Sequence, residues 1–462
     1  MKVLLVVYDN DSYIHWFPMG LAYVAAAIRD AGHRVTVYSQ DVYHYPEAHL
    51  TNYLCENHFD AVAVGVIGGY YQYAKLLKIS DAINAVPERP YYIIGGSGPS
   101  PEPEFFLRKT GADVAVIGEG ERTIVELLET LEEGRNLAGV PGIAFRRDDA
   151  CIRTPEREPI RDIDSIPYPA WDLFPMDYYA LLRMPHATNR DRVLPMFGAR
   201  GCPYKCNFCY RIDKGVRLRS PAGIVAEIQV LKERYGATYI TFMDDLLMYS
   251  ERRMRALCEA MIAANVDVKW CGNGRLNVVT PDLLTLMKQA GCVFINYGIE
   301  AMDDRVLKTM HKALTCDQIV RGVEATLAAG ISPGYNIIFG NIGETAETLQ
   351  RGVDFLLKYD DHAQLRTIRP VTPYPGSELY YHAISRGLLT GPEDFYEHKH
   401  RNSDLLAVNF TELSDEEFHE ALYEANRTLL DNYYHHRLEE QIVAAERLYL
   451  QHDTAFRGFR QT

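Results

Sequence analysis

The sequence predicts an α/β protein in three parts. These are a Rossmann-like, doubly wound parallel sheet, a six-stranded partial (β/α)6 barrel of TIM type, and a mostly helical C-terminal region. Short, nearly continuous apolar runs alternate with helical stretches over residues 1–135, and do so again from about Arg192 to Leu379. Strands of that kind are buried on both faces, as in parallel sheets covered by helices. After residue 380 the chain turns polar, with apolar residues at helical spacing. The expected divisions are therefore a first domain at 1–135, a linker at 136–190, a barrel at 191–380 and a helical substrate or lid region at 381–462.

In the first part Lys2–Tyr8 reads as a strand and Leu21–Ala31 as a helix ended by Gly32. Strand candidates follow at Val35–Tyr38, Asp60–Val66, Tyr91–Gly95 and Val114–Ile117, separated by helical stretches near Glu47–Asn57, Tyr73–Val86 and Glu102–Thr110. Open sheets bind ligands beyond the carboxyl ends of their strands, and the Gly-rich turns lie there. They are Gly65-Val66-Ile67-Gly68-Gly69, Gly95-Gly96-Ser97-Gly98 and Gly118-Glu119-Gly120-Glu121. Any one alone is an ordinary strand-to-helix turn. In the linker, Ile163-Asp164-Ser165-Ile166-Pro167-Tyr168-Pro169-Ala170-Trp171 is too rich in proline for regular helix and reads as a surface connector.

Six β-α units follow. Their strands are Val193–Gly198, Thr238–Met243, Val268–Gly272, Val293–Gly298, Gly334–Gly340 and a stretch near Leu365–Pro370. Ser220-Pro221 opens the first helix with a side-chain cap and a first-turn proline. Its stripe of Ile224, Val225, Ile228, Leu231 and Tyr235 is core. Barrel chemistry sits at the carboxyl ends of the strands.

Directly after the first of these strands, Cys202, Cys206 and Cys209 stand at C-x3-C-x2-C spacing in a loop of Gly, Pro and Asn. Three thiolates brought to one point suit an iron–sulfur cluster, normally held by cysteine sulfur. Three ligands to a cubane leave one iron open. Structural zinc is the rival reading, but such zinc is closed by four ligands, and no second knuckle follows. A disulfide leaves one cysteine over. The other six cysteines (Cys55, Cys151, Cys258, Cys271, Cys292, Cys316) are scattered and read as reduced, mostly buried thiols.

Composition bounds the partners. At 462 residues, with 47% hydrophobic and 24% charged residues, the chain has room for two or three full cores. A formal net charge of −14 and a pI near 5.6 argue against nucleic acid. No apolar run reaches the roughly 20 residues of a membrane span. The N-terminal Met1–Val7 leads straight into a strand pattern without a cleavage site, so a cytoplasmic location is expected.

The cysteine loop, with Phe208 just before its last cysteine, resembles the cluster loop of the radical S-adenosylmethionine (SAM) enzymes. The resemblance implies a 4Fe-4S cluster whose open iron is chelated by SAM. SAM would be cleaved by one electron, from a donor such as flavodoxin or ferredoxin, to a 5′-deoxyadenosyl radical. It also implies SAM contacts at the strand ends: Asp244 and Asp245 after the second strand, Arg275 after the third, Glu300 at the fourth, and Ile338 with Gly340 on the fifth, where Asn336 replaces the usual first glycine. Arg369-Pro370-Val371-Thr372-Pro373-Tyr374-Pro375-Gly376-Ser377 is similar to the Pro-Tyr-Pro-Gly-Thr signature of cobalamin-type members.

The first domain resembles the cobalamin-binding domain that precedes many such barrels, which implies cobalamin contacts at Gly20, Gly65, Gly95, Gly96, Gly98 and Glu119. The Asp-x-His-x-x-Gly motif is absent; His15 lies in the corresponding loop at another spacing. The activity implied is cobalamin-dependent methylation of an unactivated carbon in a small metabolite, lipid or natural-product intermediate. One SAM would methylate cob(I)alamin and a second would supply the radical. The alternative is rearrangement, dehydration, oxidation or cyclisation on the same architecture, with or without cobalamin.

In the tail, Asp415–Tyr433 and Arg437–Tyr449 read as helices that lid the barrel. Glu397-His398-Lys399-His400-Arg401 and His435-His436 are metal-ligand types, but runs of this sort read as solvated surface.

Overall fold

The structure, a computed structural model, describes residues 1–11, 15–67, 69–148, 150–212 and 215–455. Gly68 of the first Gly-rich turn lies outside them. The N-terminal sheet has seven strands: β1 (Lys2–Val7), β2 (Arg34–Ser39), β3 (Ala61–Gly65), β4 (Tyr91–Gly95), β5 (Val114–Val116), β6 (Ile143–Arg147) and β7 (Ala150–Arg153). Their order is β2-β1-β3-β4-β5-β6-β7. The first five are parallel and the last two antiparallel. This 2-1-3-4-5 order is the flavodoxin-like form of the doubly wound sheet, whose strand order reverses between β1 and β3. The sheet runs past residue 135, because the hairpin of β6 and β7 adds to its edge.

The second sheet holds β8 (Val193–Met196), β11 (Tyr239–Phe242), β12 (Lys269–Gly274), β13 (Cys292–Glu300), β14 (Ser332–Phe339) and β15 (Arg369–Pro370), all parallel and in sequence order across the sheet. A two-stranded ribbon, β9 (Ala199–Arg200) with β10 (Arg217–Leu218), branches off and carries the cysteine loop between its strands. This is the open six-stranded half-barrel the alternation predicted.

Side-chain alternation defines its inside. Tyr297 and Tyr335 point outward to the covering helices, donating to or sharing hydrogen bonds with Thr326 (3.0 Å) and the Tyr359 carbonyl (3.1 Å). Phe294, Asn296 and Gly298 on β13, and Gly334, Asn336 and Ile338 on β14, therefore face inward. At the amino end the interior is plugged by Val193, Tyr239, Cys271 and Phe294, packed against Met184 and Ala187.

That plug corrects the linker expectation. Beyond the β6–β7 hairpin, residues 160–180 are a buried wedge, not chain passing over the surface. Trp171 is buried and stacks on Phe17 at 4.7 Å, and the Tyr179 hydroxyl donates to Asp41 at 2.5 Å. Proline forbade helix there, but apolar and aromatic residues between the prolines still had to be buried.

The tail is helix Glu378–Ser385, a short π-helix Asp394–Lys399 and one unbroken helix Asp415–Tyr449. The two tail helices expected separately are one, since Tyr434-His435-His436 contains no residue that breaks a helix. A Ser414–Glu417 capping box starts it. Among the described residues no helix is long and apolar enough to cross a membrane.

Candidate active site at the barrel mouth

The cysteine loop is fixed from three sides, and Asn207 is its hub. The Asn207 backbone N–H donates to the Met310 carbonyl (3.0 Å), and its carbonyl accepts from Leu379 N–H (2.8 Å). Its amide donates to the Thr309 carbonyl (3.3 Å) and to Asn341 Oδ1 (3.1 Å), and accepts from Asn341 Nδ2 (2.9 Å). Both asparagines are buried. An amide between two cysteines carries no metal-ligand pattern, so its role was illegible in the sequence.

Cys206 is buried against His311, and Cys202 is half-buried. The Cys209 thiol beside it holds the Cys206 thiol below its ordinary value, with Lys312 and Arg275 adding to the effect. The same pairing drives Cys209 the other way, and burial raises Cys202. Among the described residues no group of three or more His, Cys, Asp or Glu is arranged to hold a metal ion outright. The fit of the loop to a cluster rests on its donor chemistry: three sulfurs on one loop, beside buried cations, match iron–sulfur ligation.

Lys312 is one of those cations and was missed in the sequence. It is buried and pairs with Glu300 at 2.7 Å, and its ammonium lies 5.9 Å from the Phe208 ring centre. Glu300 sits at a bulge of β13, at φ 71°. A Cβ at Gly298 would collide with the Glu300 carboxylate and come within 2.7 Å of Lys312 Nζ. Glycine there leaves room for the buried pair.

Several predicted contacts are spent on the protein itself. Asp244 accepts from the backbone N–H of Gly198 (2.9 Å) and of Ala199, fixing the turn from β8 into the ribbon. Burial pushes it up to about 7. Arg275 lies over the Tyr204 ring of the cysteine loop, 3.5 Å from its centre, and donates to the carbonyls of Lys312 (2.5 Å) and Ala313 (3.0 Å). Asp244 and Arg275 thus shape the loop, whereas Asp245 is exposed at the barrel mouth. Inside the barrel, an amide ladder joins Asn296 to Asn273 (3.0 Å) and Asn273 to the Asp244 carbonyl (2.8 Å), with Asn336 exposed above it. This polar row was not foreseen.

The end of β14 is held by Glu344, which accepts from Gly340 N–H (2.7 Å) and Asn341 N–H (2.8 Å) with one oxygen. Burial pushes its carboxyl up to about 8. The folded state then binds this proton more tightly than the unfolded chain, where glutamate titrates at about 4.3. Stability from the group is full below about pH 4.3 and is lost as pH rises through about 8. Glu344→Gln keeps the accepting oxygen and cannot ionise. Urea unfolding across this window is expected to show wild-type stability falling more steeply than the variant's, by up to about 1.4 kcal/mol per pH unit.

On the N-terminal side, Glu119 is engaged in a nearly buried ion cluster. It binds Arg200 (2.7 Å) and Arg217 (2.8 Å) of the ribbon and accepts from Ile160 N–H (2.8 Å), while Glu121 takes Arg200 at 2.5 Å. All four charged side chains are nearly buried, so the ribbon that carries the cysteines is bolted to the first domain.

Gly65, Gly95 and Gly98 pack against Leu21, Val116 and Val66, and a Cβ at Gly96 (φ 107°) would strike the Val66 carbonyl. These glycines let one turn lie on another. Gly20 alone of the predicted set faces open space. Beside the strand reversal, Trp16, Ile67 and Tyr71 are about half exposed or more. Exposed apolar groups at the ligand-binding edge fit a large flat ligand such as a corrin. His15 is paired with Asp9 at 3.2 Å, and Asp9 also takes His44 at 2.6 Å.

The two halves meet at Gly376 (φ 91°). A Cβ there would overlap the ring of Tyr210, from the cysteine loop, and lie 2.9 Å from Pro101, just past the Gly95–Gly98 turn. Three sequence motifs from two domains thus converge on one point.

The tail docks across both domains. Glu397 accepts from the Tyr73 hydroxyl and pairs with Lys109, each at 2.7 Å; Lys109 also holds Glu393 at 2.8 Å. Tyr396 stacks on Tyr73 at 5.0 Å. His400 is buried on Phe395, and burial holds its imidazole down at about 4, neutral. The Glu397–Arg401 run is therefore an internal contact at Glu397 and His400, where a solvated surface was expected. His435 remains exposed beside Glu439, as expected.

Comparison with known proteins agrees with this geometry. Residues 196–356 match the radical SAM superfamily and residues 5–128 the B12 binding domain. An uncharacterized methyltransferase of Pyrococcus horikoshii is 30% identical over 403 residues, covering 84% of each chain. The anaerobic magnesium-protoporphyrin IX monomethyl ester cyclase of Rubrivivax gelatinosus is 27% identical over 384 residues, covering 79% of this chain and 66% of its own length. The structure of the radical SAM methyltransferase TsrM from Kitasatospora setae, solved with cobalamin and a 4Fe-4S cluster bound, shares the fold. It superposes with a TM-score of 0.69 at 20% identity, over 85% of this chain and 76% of that one. With its cysteine loop at the mouth of a half-barrel and a B12-type sheet bolted to it, the chain belongs to the radical SAM superfamily, in the branch that carries an N-terminal B12 binding domain.

Proposed function

We propose that this chain transfers a methyl group from cobalamin to an unactivated carbon of a small metabolite, lipid or natural-product intermediate. It would act in the cytoplasm with an electron donor such as flavodoxin or ferredoxin. The observation that carries the reading is the convergence at Gly376. The cysteine loop, the Pro-Tyr-Pro-Gly-Ser loop and the ligand-binding edge of the first sheet share one boundary, as a reaction between two cofactors requires. When bound, a 4Fe-4S cluster with SAM supplies the 5′-deoxyadenosyl radical, and cobalamin supplies the methyl group.

In this reading Cys202, Cys206 and Cys209 are the iron ligands, and Phe208 packs beside them. Asp245 accepts from the SAM amino group at the barrel mouth. Glu300, held by Lys312, offers its other oxygen to the same ligand. Ile338 and Gly340 give an apolar, close-approach surface for the adenine, while Asn273, Asn296 and Asn336 bind polar groups inside the barrel. Gly20, Trp16 and Ile67 form the bed for the corrin. Asp244, Arg275 and Glu119 position the loop and touch neither cofactor. The relative named a cyclase favours a second reading, the same site working without methyl transfer.

Anaerobic purification with cobalamin supplied, followed by iron and corrinoid assays, separates the readings. About four irons per chain, absent when the three cysteines are replaced by alanine, is the expected result; no iron in the wild type would overturn the site. Stoichiometric corrinoid supports methyl transfer. Iron without corrinoid, with 5′-deoxyadenosine still formed from SAM, favours the second reading.

A further inference from the structure

We propose that the Asn207–Asn341 amide pair sets the distance between the three-cysteine loop and the strand end Ile338–Gly340, making both asparagines positioning residues for SAM. The inference rests on the site reading above. Every polar group of Asn207 has a partner, and its amide is matched in both directions by Asn341 at 3.1 and 2.9 Å. Asn341 directly follows Gly340, and its own oxygen also accepts from Ile342 N–H at 2.8 Å. Glu344 binds the N–H groups of Gly340 and Asn341 with the same oxygen. The amide pair therefore runs from the residue between two cysteines to a strand end that is itself held rigidly.

SAM must reach both places at once, with its amino and carboxylate groups at the loop and its adenine at the strand. A ligand that spans two elements binds well only if their separation is right, and a small misplacement costs much of the gain from orientation. Other bonds, to Met310, Thr309 and Leu379, hold the loop itself. Among the hydrogen bonds of the described residues, the Asn341 contact joins it to the end of β14.

The test is a double-mutant cycle in the full chain, loaded anaerobically with iron and sulfide. Asn207→Ala, Asn341→Ala and the double variant are compared for iron content and for the change that added SAM makes in the electron paramagnetic resonance spectrum of the reduced cluster. The expected result is about four irons in each, with the SAM concentration for a half-maximal spectral change raised about tenfold in each single variant. The effect of the double variant should fall well short of the product of the singles, because the amide pair they share is lost in all three.

Unchanged SAM response in iron-replete single variants would overturn the proposal, as would a double variant whose effect is the product of the singles. Should Asn207→Ala lose its iron, Asn341→Ala decides alone. Retained iron with a weakened SAM response supports the proposal. Retained iron with normal response overturns it, and so does loss of iron, since the pair would then hold the loop and not its spacing. A wild-type chain with iron but no SAM response refutes the site reading and this proposal with it, whereas variants equal to a responding wild type refute only the proposal.

Discussion

Glu119→Ala is expected to cost about 3–5 kcal/mol of stability, the usual effect of stripping one partner from a buried ion cluster. One carboxylate serves Arg200, Arg217 and the Ile160 amide, so its loss leaves two nearly buried guanidiniums short of charge. Glu121 still holds Arg200. Because the arginines are the paired residues of the ribbon, the loop between them loosens with it. Urea unfolding should show the loss, and iron retained per chain should fall alongside it. A variant as stable as wild type would mean that the ribbon holds itself.

The pH dependence gives a second check. Burial alone would raise Glu119, but Arg200, the Ile160 amide and Arg217 outweigh it and hold the carboxyl below its ordinary value. The stabilisation is present above the ordinary glutamate value of about 4.3 and is lost as pH falls through the lower folded value. The gap between wild type and Glu119→Ala should therefore close in acid.

Phe418→Ala is the other large effect, at about 3–5 kcal/mol for a buried phenylalanine. Phe418 is fully buried, stacks on Phe339 at 4.7 Å and lies against Gly340, where a Cβ would come within 2.8 Å of its ring. It seats the start of helix Asp415–Tyr449 on the end of β14. Asn426 adds a polar latch, accepting from Ile368 N–H (2.8 Å) and donating to its carbonyl (2.9 Å). Beyond global stability, limited proteolysis should cut Phe418→Ala between residues 400 and 415 faster than wild type. Equal cutting rates would show that the Asn426 latch suffices.

The contrast between what the sequence disclosed and what it concealed follows from the range of the interactions. The cysteine loop and the barrel strands are written in neighbouring residues, so spacing and apolar runs revealed them. Asp244, Arg275 and Glu119 have the right types at the right strand ends, but type does not tell where the charge is spent. Their partners lie 46, 37 and 81 residues away, beyond any local pattern. Lys312 and Asn207 were overlooked for the complementary reason: nothing beside them in the chain marks them, and only folding brings Glu300 to one and Asn341 to the other. His400 misled because a charged run looks solvated until a second domain covers it.

The docking of segment 393–400 has a mechanical consequence. The barrel is fastened to the first domain at the Glu119 cluster and again, through the tail, at Lys109 and Tyr73. The halves also meet at Gly376 against Pro101, and one core joins Phe17 and Tyr23 of the first domain to Leu194 and Ile224 of the barrel. Relative motion, the usual expectation for neighbouring domains, is thus opposed at several separate places here. Parting the halves would require these contacts, the tail among them, to release together, which is local unfolding and not hinge motion.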